Sequence, residues 1–326
     1  MGIQRRSLIL AAASSAALTG APGLAQSAYP NRPVKIVAGT PPGSALDISA
    51  RTVAQILSQE LKQGFVVENK VGASGIISTM QVVKSPADGY TLLMTASGML
   101  AVNPALYDKL PYDPVRDLVP ITVVNAMPLF LVAHPSFPVG SVAELIRYVK
   151  ERPGAVSYGS SGPGIVNHVT MEYFARSAGL KLQHVPYRGG LLALNDLMGG
   201  QIPIMFEVAT SIIPLLNSGR FKVLAVSSAK RSDAAPGVPT VAESGLSGFE
   251  ATAWTALAAP AGTAPGIVDV LQRVVVQGLR TPEVRSRFLG LGADVVANSP
   301  AEFTAFLVSE IAKWGAIVRS SGAKAE

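Results

Sequence analysis

Apolar and polar positions along this chain fall into short blocks that repeat in one order. Val34–Ala38 is a β-branched apolar run, bracketed upstream by Pro30 and Pro33 and broken downstream by Gly39-Thr40-Pro41-Pro42-Gly43. That is the pattern of a short buried strand. The next segment places Leu46, Val53, Ile56, Leu57 and Leu61 on one helical face. Ser44 and Asp47 stand three apart at its start, a capping-box spacing with Asp in place of Glu. The pattern predicts further strands at 65–68, 90–96, 155–159, 181–185, 202–206 and 222–226. It predicts helices at 76–84, 142–150, 165–178, 191–198, 212–217, 265–280 and 301–320, with a small one after Pro282. Two long apolar segments interrupt the alternation: 118–134, with two runs around Met127-Pro128, and 249–259, which follows a Pro/Gly-rich linker at 233–248.

Strands alternating with helices argue for parallel sheets, and two such sets argue for two α/β lobes. If both extended segments cross between lobes, the terminal helices return to the first. Residues 26–125 and 248–326 then form one discontinuous lobe and 126–247 the other, each a mostly parallel sheet flanked by helices. Ligand clefts in open α/β sheets form outside the carboxyl ends of the strands. The loops after Ala38, Glu68, Gly159 and Val185 should therefore converge on a cleft between the lobes.

The first residues carry an address. Arg5-Arg6 precedes an apolar run over 8–18 that is about half the length a membrane-spanning helix needs. With the small-residue exit Gly23-Leu24-Ala25, this is the pattern of a secretory signal cut after Ala25, giving a mature protein expected to be soluble outside the cytoplasm. Losing those two arginines takes the net charge from +6 to +4, and the remaining Lys and Arg are scattered. No nucleic-acid stripe is expected. The absence of cysteine excludes disulfides, thiolate metal sites and cysteine nucleophiles.

The loops at 39–44, 72–75 and 160–164 place Gly, Ser or Thr where a strand ends and a helix begins. Glycine lets main-chain N–H groups turn inward, and a helix N-terminus favours negative charge. Each loop alone is ordinary turn-and-cap chemistry, whereas three in register suggest an anion receptor built from Pro42, Gly43, Ser44, Ser160, Ser161, Gly162 and Gly164. Adding bulk at Gly162 or Gly164 is then expected to abolish binding and barely affect folding. Asp47 is read as a cap acid first and a ligand contact second. His168, one turn into its helix, is placed to hydrogen-bond within the Ser160 loop. Arg188 stands at a turn tip where it can pair with a carboxylate, and Glu207, ending an apolar strand, is either solvated or a receptor for a ligand amine or hydroxyl. Trp254 and Trp314 are read as packing. Nucleotide motifs fail: Asn167 stands where a dinucleotide fingerprint needs its third Gly, and no phosphate loop exists. Around Ser161 a nucleophile elbow misses by one residue, with Pro163 in place of Gly. The three histidines have no metal-ligand spacing.

Several runs resemble one family along nearly the whole mature chain. They are Tyr29-Pro30-x-Arg32-Pro33-Val34 with Pro42-Gly43-x-x-x-Asp47, Ser85-Pro86-Ala87-Asp88-Gly89-Tyr90, Tyr158-Gly159-Ser160-Ser161-Gly162 with His168, His184-Val185-Pro186-Tyr187-Arg188-Gly189, Ala259-Pro260-Ala261-Gly262-Thr263, and Lys313-Trp314. These resemble the extracytoplasmic solute receptors of tripartite tricarboxylate transporters, the Bug-type binding proteins. The resemblance implies a monomeric, two-lobed periplasmic binding protein of type II-like fold that closes on a small organic acid. It implies a grip by backbone amides and ordered water, and adds Thr40, Ala73, Ser74, Ser97 and Glu207 as cleft-lining candidates. The implied partners are membrane transporter subunits, or alternatively a sensor kinase. No catalytic residue, metal or cofactor is expected. A secreted serine hydrolase using Ser160 or Ser161 with His168 is the competing reading. Four departures from the family pattern bear on the substrate: Ser44 where a second Gly is usual, Asn69-Lys70-Val71-Gly72 for an Asn-Arg-Pro-Gly run, Arg188 for Lys, and Glu207 for Asp.

Overall fold

The structure is a computed structural model and describes residues 29–321. The expected leader at 1–25 lies outside them. The chain opens with strand β1 (Val34–Ala38), helix α1 (Ala45–Leu61), β2 (Phe65–Asn69), α2 (Ile76–Val83) and β3 (Thr91–Ala96). β1 pairs in parallel with both β2 and β3. A wide helical turn at Gly98–Val102 leads into the short α3 (Asn103–Leu106), a helical stretch the sequence pattern did not reveal.

β4 (Leu118–Ala133) then runs unbroken through 16 residues. Its first part pairs antiparallel with β9 (Thr252–Pro260), and from Leu129 onward it pairs with β7 (Ile204–Val208) and β8 (Lys222–Val226). Pro128, which has no N–H to give a ladder, stands where the strand changes partners. The two apolar runs read from sequence are thus one strand shared by two sheets.

The second set comprises α4 (Val142–Lys150), β5 (Ser157–Ser160), α5 (Val166–Ala178), β6 (Gln183–Pro186), α6 (Gly190–Met198), β7, α7 (Ala209–Ile212) and β8. β5 lies parallel between β6 and β7. After β9 the chain adds α8 (Pro265–Leu279), α9 (Pro282–Leu289), the two-residue β10 (Asp294–Val295) on β4, and α10 (Pro300–Ser321). The path β2-β1-β3-β9-β4-β7-β5-β6 therefore has a parallel set at each end and antiparallel connecting strands between. A strand returning from one set to the other must run against its neighbours, so the parallel character stops at the crossing.

Where α1 meets the crossing strands the contact is polar. Ser49 Oγ accepts from Asn125 Nδ2 at 2.8 Å and lies 3.1 Å from Thr255 Oγ1, which is also 3.1 Å from Asn125 Oδ1. Behind the crossing, α10 offers the buried Glu310. Its Oε2 accepts both indole N–H groups, from Trp254 at 2.8 Å and Trp314 at 3.0 Å, and its Oε1 pairs with Lys313 Nζ at 2.6 Å. The tryptophans are packing residues as read, with an acid partner that no local pattern revealed. Glu310→Ala strands two buried donors and is expected to lower unfolding stability by about 2–4 kcal/mol in denaturant titration.

Two turn glycines test how much room the loops hold. Gly43 (φ +81°) and Gly164 (φ +72°) both sit in the left-handed region. A Cβ at Gly43 meets nothing within 4 Å, whereas at Gly164 it runs into the Leu106 side chain. Gly43→Ala is expected to cost about 1 kcal/mol of backbone strain. Gly164→Ala should cost a further ~1–3 kcal/mol of overpacking, measured in the same titration. The sequence-based expectation that bulk at 164 spares folding is corrected accordingly. Gly162, at φ +132° with Tyr187 O 3.3 Å from a built Cβ, carries a similar backbone penalty.

Candidate functional site

The loops at the carboxyl ends of β1, β2, β3, β5 and β6 line one cleft of about 750 Å³. Thr40, Pro42, Gly43 and Ser44 reach it from the β1–α1 loop. Ala73 and Ser74 come from the β2–α2 loop, Ser97 from the end of β3, Ser161, Gly162 and Gly164 from the β5–α5 loop, Arg188 from the β6–α6 loop, and Glu207 from β7. Met127, Trp254 and Thr255 of the two crossing strands also face it. Arg188 and Glu207 are the charged residues of the lining.

Three expected contacts stand behind the wall. Asp47 is 2% exposed and accepts from Gly43 N (2.9 Å), Asn69 Nδ2 (2.9 Å) and Arg51 Nε (2.8 Å). Burial acts to raise its pKa, and these donors outweigh that and hold it below the usual carboxylate range. Ser160 is fully buried, with its hydroxyl 2.6 Å from His184 Nε2 and accepting from Gly162 N at 3.1 Å. His168 stacks on His184 with centroids 4.0 Å apart, and its Nδ1 accepts from Gly164 N at 2.9 Å. Burial, helped by His184, lowers the His168 pKa to about 4, so it is neutral at pH 7. All three side chains brace the loops and do not reach the cleft.

That bracing changes which N–H groups are available. In the β5–α5 loop, Ser161 N donates to Asn167 Oδ1 (3.2 Å), Gly162 N to Ser160 Oγ and Gly164 N to His168 Nδ1, and Pro163 has no N–H. In the β1–α1 loop, Gly43 N serves Asp47 and Ser44 N serves Pro41 O. Ser44 caps α1 by accepting from Asp47 N at 3.3 Å, the expected box with the acid reaching one residue further back. The glycine turns of the β1–α1 and β5–α5 loops therefore keep these amides for themselves, and the sequence-based picture of unpaired loop amides is corrected for those two loops.

The donors left over lie one step along, in the first turns of the helices. α5 starts from Ile165 and α6 from Gly189, and neither has a side-chain cap. The N–H groups of Val166 and Asn167 on α5, and of Gly190, Leu191 and Leu192 on α6, have no acceptor among the described residues, and all five residues line the cleft. Helix geometry forces this, because first-turn N–H groups have no partner within the helix. α1 contributes Ala45 and Leu46 in the same way from the opposite side, although Asp47 already places a negative charge at that end. Ala73 and Ser74, at φ +46° and +50°, form a second left-handed turn on the cleft wall. Such strained backbone in non-glycine residues points to a functional turn.

Asn167, which sequence reasoning noted for not being glycine, is the residue that ties this region together. Its Oδ1 accepts from Ser161 N and His168 N, and its Nδ2 donates to Ser161 Oγ (2.6 Å) and to Glu207 Oε2 (3.2 Å). Asn103 is a second residue missed. It is fully buried on the lobe of β1, its Nδ2 donates to Ser74 O, and its Oδ1 has no donor. Among the described residues no cluster of acids and histidines is arranged to hold a metal ion, and no helix is long and apolar enough to cross a membrane.

The comparisons place this cleft among known proteins. The family model described as "Tripartite tricarboxylate transporter family receptor" matches residues 49–323. Protein BugT of Bordetella pertussis is 38% identical over 297 residues, covering 91% of each chain. Among solved structures, R. palustris Rpa4515 with adipate superposes with a TM-score of 0.86 at 34% identity, covering 91% of this chain and 99% of that one. MatC of Rhodopseudomonas palustris with bound malate gives a TM-score of 0.83 at 31% identity, covering 89% and 100%. The chain belongs to the tripartite tricarboxylate transporter receptor family, the Bug-type periplasmic solute-binding proteins.

Proposed function

We propose that this receptor closes its two lobes on a small carboxylate and presents it to a membrane transporter. The observation that carries the reading is the pair of N-termini without a side-chain cap, α5 and α6, whose first residues line a cleft with few charged side chains. Such helix ends favour an anion through directed N–H groups and the helix dipole together. The acids in the two solved relatives, adipate and malate, are of this class. The lobes divide where β4 changes sheets, near residues 125–128, and again near 248–251, where Ala251 N donates to Ser227 O. Opening and closing about two such adjacent crossings is the hinge motion of two-lobed receptors. After removal of the leader the protein works in the periplasm.

The geometry speaks against the hydrolase reading. Ser160 has a histidine partner and no access to the cleft, while Ser161 has access and its hydroxyl meets Asn167 and no histidine. A nucleophile needs both base and access.

The main-chain grip has a direct test in Val166→Pro. Proline is tolerated at the first helical position, and Ile165 already has the extended geometry (φ −70°, ψ 153°) that a residue before proline adopts. The variant removes one donor and exchanges the half-buried valine side chain for an apolar ring of similar size. Malate or adipate affinity is expected to drop tenfold or more, the worth of one hydrogen bond to a charged group, about 1.5–3 kcal/mol. Unfolding in the absence of ligand should be nearly unchanged. Unaltered affinity in a folded Val166→Pro protein would overturn the assignment of this amide.

In wild type, a carboxylate at one hundred times its Kd should add about 2.7 kcal/mol of stability without turnover. Ester hydrolysis abolished by Ser161→Ala, with carboxylate stabilisation retained, would favour the enzyme instead.

A further inference from the structure

We propose that Glu207 meets the bound acid as a neutral carboxyl group, donating a hydrogen bond to it, so that each ligand enters the cleft together with one proton. The inference rests on the carboxylate reading above and adds the protonation state in which the receptor takes its ligand.

Glu207 is 3% exposed yet lines the cleft. Its Oε2 accepts from Asn167 Nδ2 at 3.2 Å and its Oε1 from Ser211 Oγ at 3.3 Å. Asn167 is the second residue of α5, so the carboxamide that holds Glu207 and the main-chain N–H that faces the cleft belong to one residue. Gly190, the first residue of α6, abuts the same carboxyl group, and a Cβ there would collide with it. Two uncapped helix ends thus flank one acidic side chain. A ligand carboxylate on these ends lies close to Glu207, and two like charges in a partly desolvated cleft disfavour each other's ionised form. The arrangement accommodates one negative charge. Either Glu207 carries it or the ligand does.

No buried cation relieves the conflict. Glu207 forms no ion pair among the described residues. Arg188, on the β6–α6 loop, is exposed at the cleft. From α5 the titratable groups are His168, neutral at pH 7, and Glu172, which accepts from the Tyr158 hydroxyl. α6 carries Asp196, bonded to the Tyr187 hydroxyl at 2.7 Å. α7 offers Ser211, and the partner in register on β4 is Phe130. Burial raises the Glu207 pKa to about 7, only partly opposed by donors from Val208 N, Asn167 and Ser211, so the proton is within reach at neutral pH. A neutral carboxyl donating to a carboxylate makes a short, charge-assisted bond. An ionised Glu207 would select an ammonium ligand instead, and the two cases differ in the sign of the proton change.

The test is calorimetric titration of the mature receptor with malate and with adipate, in buffers of different ionisation enthalpy. At about pH 8 the expected uptake is about one proton per ligand. The sign follows from linkage: a complex that binds one more proton than the free protein weakens as pH rises through the free protein's pKa. Affinity should fall close to tenfold between about pH 7.5 and about pH 8.5. In Glu207→Gln, uptake should vanish and the pH slope flatten, because the amide donates without titrating. The infrared difference spectrum of wild type, bound minus free, should gain a protonated-carboxyl band, a readout that does not depend on the variant folding. Binding without proton uptake, proton release, or uptake that persists in Glu207→Gln would each overturn the proposal while leaving the carboxylate reading intact. If neither acid binds, that reading falls and this one with it.

Discussion

A helix cannot satisfy the N–H groups of its own first turn, and the architecture of this receptor turns on where those of α1, α5 and α6 find partners. At α1 the chain answers from within: Ser44 caps, and Asp47 brings a carboxylate that also orders Gly43, Asn69 and Arg51. At α5 and α6 the N-cap residues supply no side-chain cap, and the residues that open both helices line the cleft. Exposed to solvent, such groups bind water. Enclosed between two lobes they need an acceptor, and an anion is the strongest one available. On the β5 side of the cleft first-turn donors are left without a partner from the chain, and on the β1 side the Asp47 carboxylate already stands at the helix end.

Holding those helix ends in place demands rigid loops behind them. Ser160, His168, His184 and Asn167 use their polar atoms on one another and on the loop amides, so that the Ser-Ser-Gly-Pro-Gly turn is fixed before any ligand arrives. Preorganisation of this kind lowers the ordering cost of binding. It also gives a structural role to a pair with the look of catalytic groups: Ser160 and His184, 2.6 Å apart, meet behind the cleft wall as a brace. On the far side of the crossing strands, Glu310 plays the same role for Trp254, whose other face borders the cleft.

Much of this was legible in the sequence because strand and helix periods are local. β1, α1, the turn at Gly43 and the α5 start emerge from apolar spacing and Gly/Pro punctuation within a few residues. What stayed hidden is relational. The helical stretch 98–106 begins at a glycine and contains Pro104, so no helical period announces it. Asn167 was noted for the glycine it is not, and its four hydrogen bonds depend on how β5, α5 and β7 come together. Glycine-rich loops do mark the cleft, but their chemistry belongs to the helix turns that follow them. Asp47 as a cap acid and His168 as a partner within the Ser160 loop were legible from their places at helix starts, whereas composition says nothing about which amides a loop keeps for itself, and Ser160 stands behind the wall it was expected to line.

The account is tested most directly by a crystal structure of the receptor with malate or adipate bound. It requires a ligand carboxylate oxygen within hydrogen-bond reach of the Val166 and Asn167 main-chain nitrogens, with the second lobe closed over it. A ligand held by the exposed Arg188 alone, with the first-turn amides of α5 still bound to water, would contradict it.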